Sequence, residues 1–81
     1  MATTIVFQNN RGEGVRIYWL NYQGRREPFQ GLSLGRQHAQ ETYDSHPWIV
    51  TEENGRCIGL YMPEATRRQV EIRAADIPAA R

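Results

Sequence analysis

The sequence predicts an all-β domain, a small antiparallel β-sandwich of about seven strands. Three observations carry this expectation. Short apolar segments rich in β-branched and aromatic residues recur along the chain. Turn-forming residues separate them at a spacing of roughly 8–12 residues, the interval of sandwiches and barrels. No long stretch carries the 3.6-residue apolar period of an amphipathic helix.

The first strand is expected over Thr3–Gln8, closed by the turn-rich run Asn9-Asn10-Arg11-Gly12-Glu13-Gly14. Val15–Tyr22 follows, with Val15, Ile17 and Trp19 on one face and Arg16, Tyr18 and Leu20 on the other. Gln23-Gly24-Arg25-Arg26 makes a turn, and Pro28 places the next segment at a sheet edge or strand start, because proline has no N–H to give a ladder. Phe29–Leu34 is a short step ending at Gly35, and Gln37–Tyr43 is a largely polar strand. Pro47–Thr51 and Cys57–Met62 are the arms of a hairpin about Asn54-Gly55, where both residues tolerate the positive φ of a type I′ turn. Gln69–Arg73 alternates Val70 and Ile72 with charged residues, as a half-exposed last strand does. One domain over 1–73 and a short flexible tail over 74–81 complete the expected organisation.

Composition narrows the function classes. Eighty-one residues make one domain, 40% hydrophobic and 23% charged, a globular balance. The formal net charge of +1 offers no basic excess for nucleic acid, and no apolar run approaches membrane-spanning length. All ten basic residues are arginine, which points to a GC-rich, bacterial source and leaves no lysine to acetylate or ubiquitinate. Cys57 is the only cysteine, so no internal disulfide forms, and a buried thiol in a reducing cytoplasm is expected. Two histidines and one cysteine fall short of a zinc site. No acid–base pair, nucleophile or phosphate-cradling loop appears, so the expectation is a non-enzymatic protein without a cofactor. Asp44-Ser45-His46 has the residue types of a hydrolase triad, but neighbours on a strand point apart. His38 is expected at the surface. Taken alone, Trp19 and Trp48 read as core residues.

A set of residues at fixed spacing changes that reading. Val6-Phe7-Gln8-Asn9, Trp19-Leu20-Asn21-Tyr22, Gly24, Pro28-Phe29, Leu32, Gly35, Thr42-Tyr43, His46 and Trp48 together resemble the β domain of the von Hippel–Lindau family, over nearly the whole chain to about Arg73. The resemblance implies a sandwich that binds an extended protein or peptide segment containing 4-hydroxyproline. It implies a pocket of Trp19, Phe29, Thr42, His46 and Trp48 with Tyr43 beside it, and a structural, turn-stabilising role for Asn9. Phe29 stands where the family's tumour-suppressor type has tyrosine, Thr42 where it has serine, and Glu41 where it has histidine. That type also carries a helical second domain for recruiting a ubiquitin ligase. Residues 74–81 are too few to form one, so no adaptor role is expected.

The chemistry of these residue types suits the task. Aromatic side chains offer a rigid apolar surface to a pyrrolidine ring. A threonine hydroxyl and a neutral histidine can each donate or accept a hydrogen bond to the ligand hydroxyl. Thr42, His46 and Trp48 are evenly separated and would share a face on a straight strand, although Asp44-Ser45 can bend it. Two other readings stand beside this one: a structural or assembly sandwich whose aromatics are core, and a small carbohydrate-binding module.

Overall fold

Strands form where the β-branched and aromatic runs lie. In the computed structural model, which describes residues 1–73, they are β1 (Ala2–Asn10), β2 (Val15–Leu20), β3 (Arg26–Leu32), β4 (Gln37–Tyr43), β5 (Trp48–Glu52), β6 (Cys57–Tyr61) and β7 (Arg68–Arg73). The expected tail lies outside the described residues. A three-stranded sheet, β4-β1-β7, faces a four-stranded sheet, β3-β2-β5-β6. Each connection reverses the chain, so odd-numbered strands run alike. This is why β1 pairs antiparallel with β4 but parallel with β7, the one parallel pair of the sandwich.

Alternation along the strands builds the core. Ile5 and Phe7 from β1 and Val70 and Ile72 from β7 meet Val15 and Ile17 from β2, Trp48 and Val50 from β5, Ile58 and Leu32. Phe7 and Tyr61 pack edge to face across the sheets, ring centroids 6.3 Å apart. The inner face of β4 differs: the register places His38 and Thr42 opposite Phe7 and Thr3, and Gln40 opposite Ile5. His38 is therefore half-buried and bonded to Gln40 at 2.9 Å, not a surface residue, because the polar face of this edge strand turns inward.

At the far end, Asn9 is fully buried. Its Nδ2 donates to the carbonyls of Glu13 (2.7 Å) and Leu32 (2.9 Å), and its Oδ1 accepts the Arg11 N–H (3.0 Å). Its own backbone bonds Arg36 O and Gly35 N. Asn9, through side chain and backbone together, thus ties β1 to the loop after it, the end of β3 and the turn into β4, which is the turn-stabilising role expected of it. Beside it, Arg11 and Glu52 form an ion pair at 2.6 Å between the first loop and β5.

The hairpin turns depart from expectation. Asn54 does not take a positive φ; Gly55 alone does, at 93°. The Gly55 N–H bonds Glu52 O, Glu52 N–H bonds Arg56 O, and Asn54 Oδ1 accepts the Arg56 N–H. That is a type I turn followed by a left-handed glycine, whose bulge sets Gly55 and Arg56 opposite Glu52; a separate register shift between Val50 and Thr51 leaves Ile58 unpaired. The β2–β3 turn repeats the device: Asn21 Oδ1 accepts from the Gln23 and Arg25 N–H groups, and Gly24 carries φ 77°. The early closure at Asn21 ends β2 at Leu20 and starts β3 before Pro28, which sits on an edge strand as its missing N–H requires. Cys57 is half-buried, not enclosed, because it lies at the first position of β6 next to this turn.

Replacing Asn9 strands two carbonyls and an amide in the interior. Asn9→Ala should lower the unfolding free energy by about 3 kcal/mol, read from the urea midpoint at an unchanged m-value.

Candidate functional site

Every residue proposed for the pocket sits at the end of the sandwich opposite Asn9. Trp19 and Trp48 are register partners on β2 and β5, and Tyr61 continues the row on β6. Trp48 is 2% exposed and belongs to the core, whereas Trp19 is half-buried at its border. Trp48 has one polar atom to satisfy, and it does so across the sheets: Nε1 donates to Thr42 Oγ on β4 at 3.0 Å. The Thr42 O–H is left with one long contact, 3.5 Å to Tyr43 O. A hydroxyl has two lone pairs and one proton. Here Trp48 uses one lone pair and the proton makes the long contact, which leaves one lone pair with no partner among the described residues.

Phe29 is the extra residue of a β-bulge. The register runs Ile17↔Gln30 and then Tyr18↔Pro28, leaving position 29 unpaired. Bulges bend the strand and re-aim a side chain. The Phe29 ring stands edge-on to Trp48, centroids 5.0 Å apart, and remains 48% exposed. It also walls an open groove of about 180 Å³ with Arg16, Tyr18, Pro28 and Gln30.

His46 is placed by a turn, not by a strand. Its N–H bonds Tyr43 O at 3.0 Å, closing the turn Tyr43-Asp44-Ser45-His46, while Asp44 N–H bonds Met1 O and Leu20 N–H bonds Pro47 O. The chain crosses from one sheet to the other here, so Thr42, His46 and Trp48 do not share a strand face. Their expected common parity fails: Thr42 meets Trp48 across the sandwich, whereas His46 packs on Trp19 from the crossing turn. The imidazole lies nearly flat on Trp19, 4.9 Å between centroids at 23°, with the Tyr43 ring 5.3 Å away. Asp44 turns from the histidine to the N-terminal ammonium at 3.2 Å, so the triad-like trio forms no relay.

Tyr22 is among the residues that carry the resemblance, but sequence reasoning did not place it in the pocket. Its hydroxyl lies 2.8 Å from His46 Nε2, and its ring is edge-on to both Trp19 and His46. Only its position three residues after Trp19, just past a strand end, hinted at proximity. The Trp19 Nε1 is buried with no hydrogen-bond partner among the described residues.

The third feature is the edge of β4. Asn9 N–H bonds Arg36 O, and Asp44 N–H bonds Met1 O, with an unbroken register between them. Alternation in an antiparallel ladder then turns residues 38, 40 and 42 toward β1. The N–H groups of Gln37, Ala39, Glu41 and Tyr43 point to the open edge, as do the carbonyls of Gln37 and Ala39. The Glu41 and Tyr43 carbonyls already accept from Gln40 Nε2 and His46 N. No described strand pairs on that side. Three surface grooves lie on the described residues, and neither Thr42 nor His46 lines any of these three.

An aromatic cluster, an inter-sheet Trp–Thr bond and an unpaired polar edge thus meet at one end of a sandwich. The family model of the VHL beta domain matches residues 1–57, which include every candidate residue. The chain belongs to the VHL β-domain family. No curated protein matches the chain. Members of this family are binding domains, not a catalytic family, and the expected architecture is the one observed.

The Trp48–Thr42 bond gives a direct test. Thr42→Val leaves a buried indole N–H unpaired and should cost about 1–3 kcal/mol, with the Trp48 indole proton moving sharply upfield in NMR. Thr42→Ser keeps the acceptor and should lie within about 1 kcal/mol of the parent.

Proposed function

We propose that this VHL-type β domain binds an extended protein segment along the open edge of β4 and reads a hydroxyproline beside Thr42 and His46. The single observation that carries this is the run of unpaired edge N–H groups at 37, 39, 41 and 43 ending beside the aromatic cluster. Strand addition supplies main-chain hydrogen bonds without regard to sequence, and a side-chain pocket at one register position supplies selectivity.

The pocket residues in this reading are Trp19, Phe29, Thr42, Tyr43, His46 and Trp48. Phe29 offers the apolar surface to the ring with the buried Trp48 behind it, Trp19 supports the imidazole, and Tyr43, 53% exposed, flanks the entry. Thr42 has one lone pair to spare after accepting from Trp48, and its O–H holds only a long contact to Tyr43 O. With unmodified proline these polar groups lose water and gain no partner, at about 1–3 kcal/mol each. A site that demands a hydroxyl therefore rejects its absence more strongly than an apolar pocket rejects a methyl. Phe29 has no hydroxyl to offer the ligand backbone, so the edge of β4 carries more of the affinity.

Calorimetric titration with matched peptides tests the reading. The hydroxyproline peptide should bind at least about tenfold more tightly than the proline peptide, and His46→Ala should erase most of the difference. Equal affinity for both peptides would remove hydroxyproline reading and leave a general segment binder. No binding of either, with association of the protein itself at high concentration, would instead support an assembly domain that pairs through β4.

A further inference from the structure

We infer that Tyr22 is a positioning residue: its hydroxyl donates to His46 Nε2, fixes the ring as the Nδ1–H tautomer, and so makes the histidine a donor toward the ligand. The inference rests on the proposed reading of the site, and it deepens that reading by assigning the direction of each hydrogen bond.

The geometry carries it. The Tyr22 oxygen and His46 Nε2 are 2.8 Å apart, a full hydrogen bond. The imidazole has three aromatic neighbours: Trp19 stacked on its face, Tyr22 perpendicular at 5.6 Å, and Tyr43 at 5.3 Å. A ring clamped in this way cannot exchange its two nitrogens by flipping without breaking the bond. Nε2 is spent on Tyr22, which leaves Nδ1 as the only ring nitrogen open to a ligand.

Proton position follows from relative acidity. A phenol gives up its proton more readily than a neutral imidazole N–H, and the unprotonated imidazole nitrogen accepts better than a phenol oxygen. The bond therefore runs from the Tyr22 O–H to Nε2. Nε2 then holds a lone pair, and the single ring proton resides on Nδ1, since the hydrogen bond at one nitrogen sets the other. The ligand hydroxyl accepts from His46 Nδ1–H and donates to the Thr42 Oγ lone pair that Trp48 leaves free. Each of the two polar groups is then used once, and proline lacking the hydroxyl would leave Nδ1–H without an acceptor.

Tyr22 is 78% exposed, so loss of its hydroxyl leaves the core untouched. A merely structural surface residue would alter neither the tautomer of a neighbour nor the ratio of two ligand affinities.

The test is Tyr22→Phe with two readouts. In the free protein, long-range ¹H–¹⁵N correlation of the imidazole should show His46 as the Nδ1–H tautomer. In the variant, the two tautomers should mix. In binding, the preference for the hydroxyproline peptide over its proline match should fall by roughly three- to tenfold, as the competent tautomer becomes a fraction of the population. A parent protein with the proton on Nε2, or a variant with unchanged imidazole shifts, would overturn the inference. Because the tautomer is read without ligand, a parent that fails to prefer hydroxyproline would defeat the functional reading while leaving the Tyr22 assignment to stand or fall on the spectrum.

Discussion

The hydrogen bond from Trp48 Nε1 to Thr42 Oγ is the constraint around which the functional end of this molecule is organised. A tryptophan this deeply buried gains from a partner for its N–H, and among the described residues its acceptor belongs to the opposite sheet. The bond therefore sets how the edge strand β4 lies against the four-stranded sheet. It also orients the buried Thr42 hydroxyl, since one lone pair is held by the core and the proton reaches only the Tyr43 carbonyl at 3.5 Å. The same atom is thus a core contact and a site group. Trp48 itself is a core residue, and it touches the candidate site through Thr42 and through the ring of Phe29.

The two ends of the sandwich divide their tasks. Asn9 knots β1, β3 and the turn into β4 with bonds that are all internal, and it offers nothing to a ligand. At the other end the chain crosses between sheets in the turn from Tyr43 to His46, and among the described residues bonding capacity is left over: edge amides on β4, a Thr42 lone pair, one imidazole nitrogen. A rigid end and an unsatisfied end are what a binding module requires, since the first limits the entropy that the second must give up on binding.

Much of this was legible in the sequence. Strand positions followed from β-branched runs and turn residues, and the inward face Val15, Ile17, Trp19 followed from alternation, because a two-residue period is a local property. Asn9, Trp19 and Trp48 were singled out by the resemblance to the von Hippel–Lindau family. What escaped were features decided across the sandwich. The parity of Thr42, His46 and Trp48 assumed one strand where the chain changes sheets. The Asn54-Gly55 turn kept its place but took the three-residue form, with only the glycine left-handed. Tyr22 escaped because its partner His46 is 24 residues away and comes from another connection. No periodicity records such a pairing.

Strand addition to β4 is the central claim, and amide hydrogen exchange resolves it residue by residue. In the free protein the amides of 38, 40 and 42 should exchange slowly and those of 37, 39, 41 and 43 rapidly, since only the former bond β1. With saturating hydroxyproline peptide, Ala39 and Glu41 should gain protection while residues 38, 40 and 42 stay as they were. Protection gained on β6 or β7 instead, or an unchanged β4 edge in a peptide-bound sample, would contradict the account.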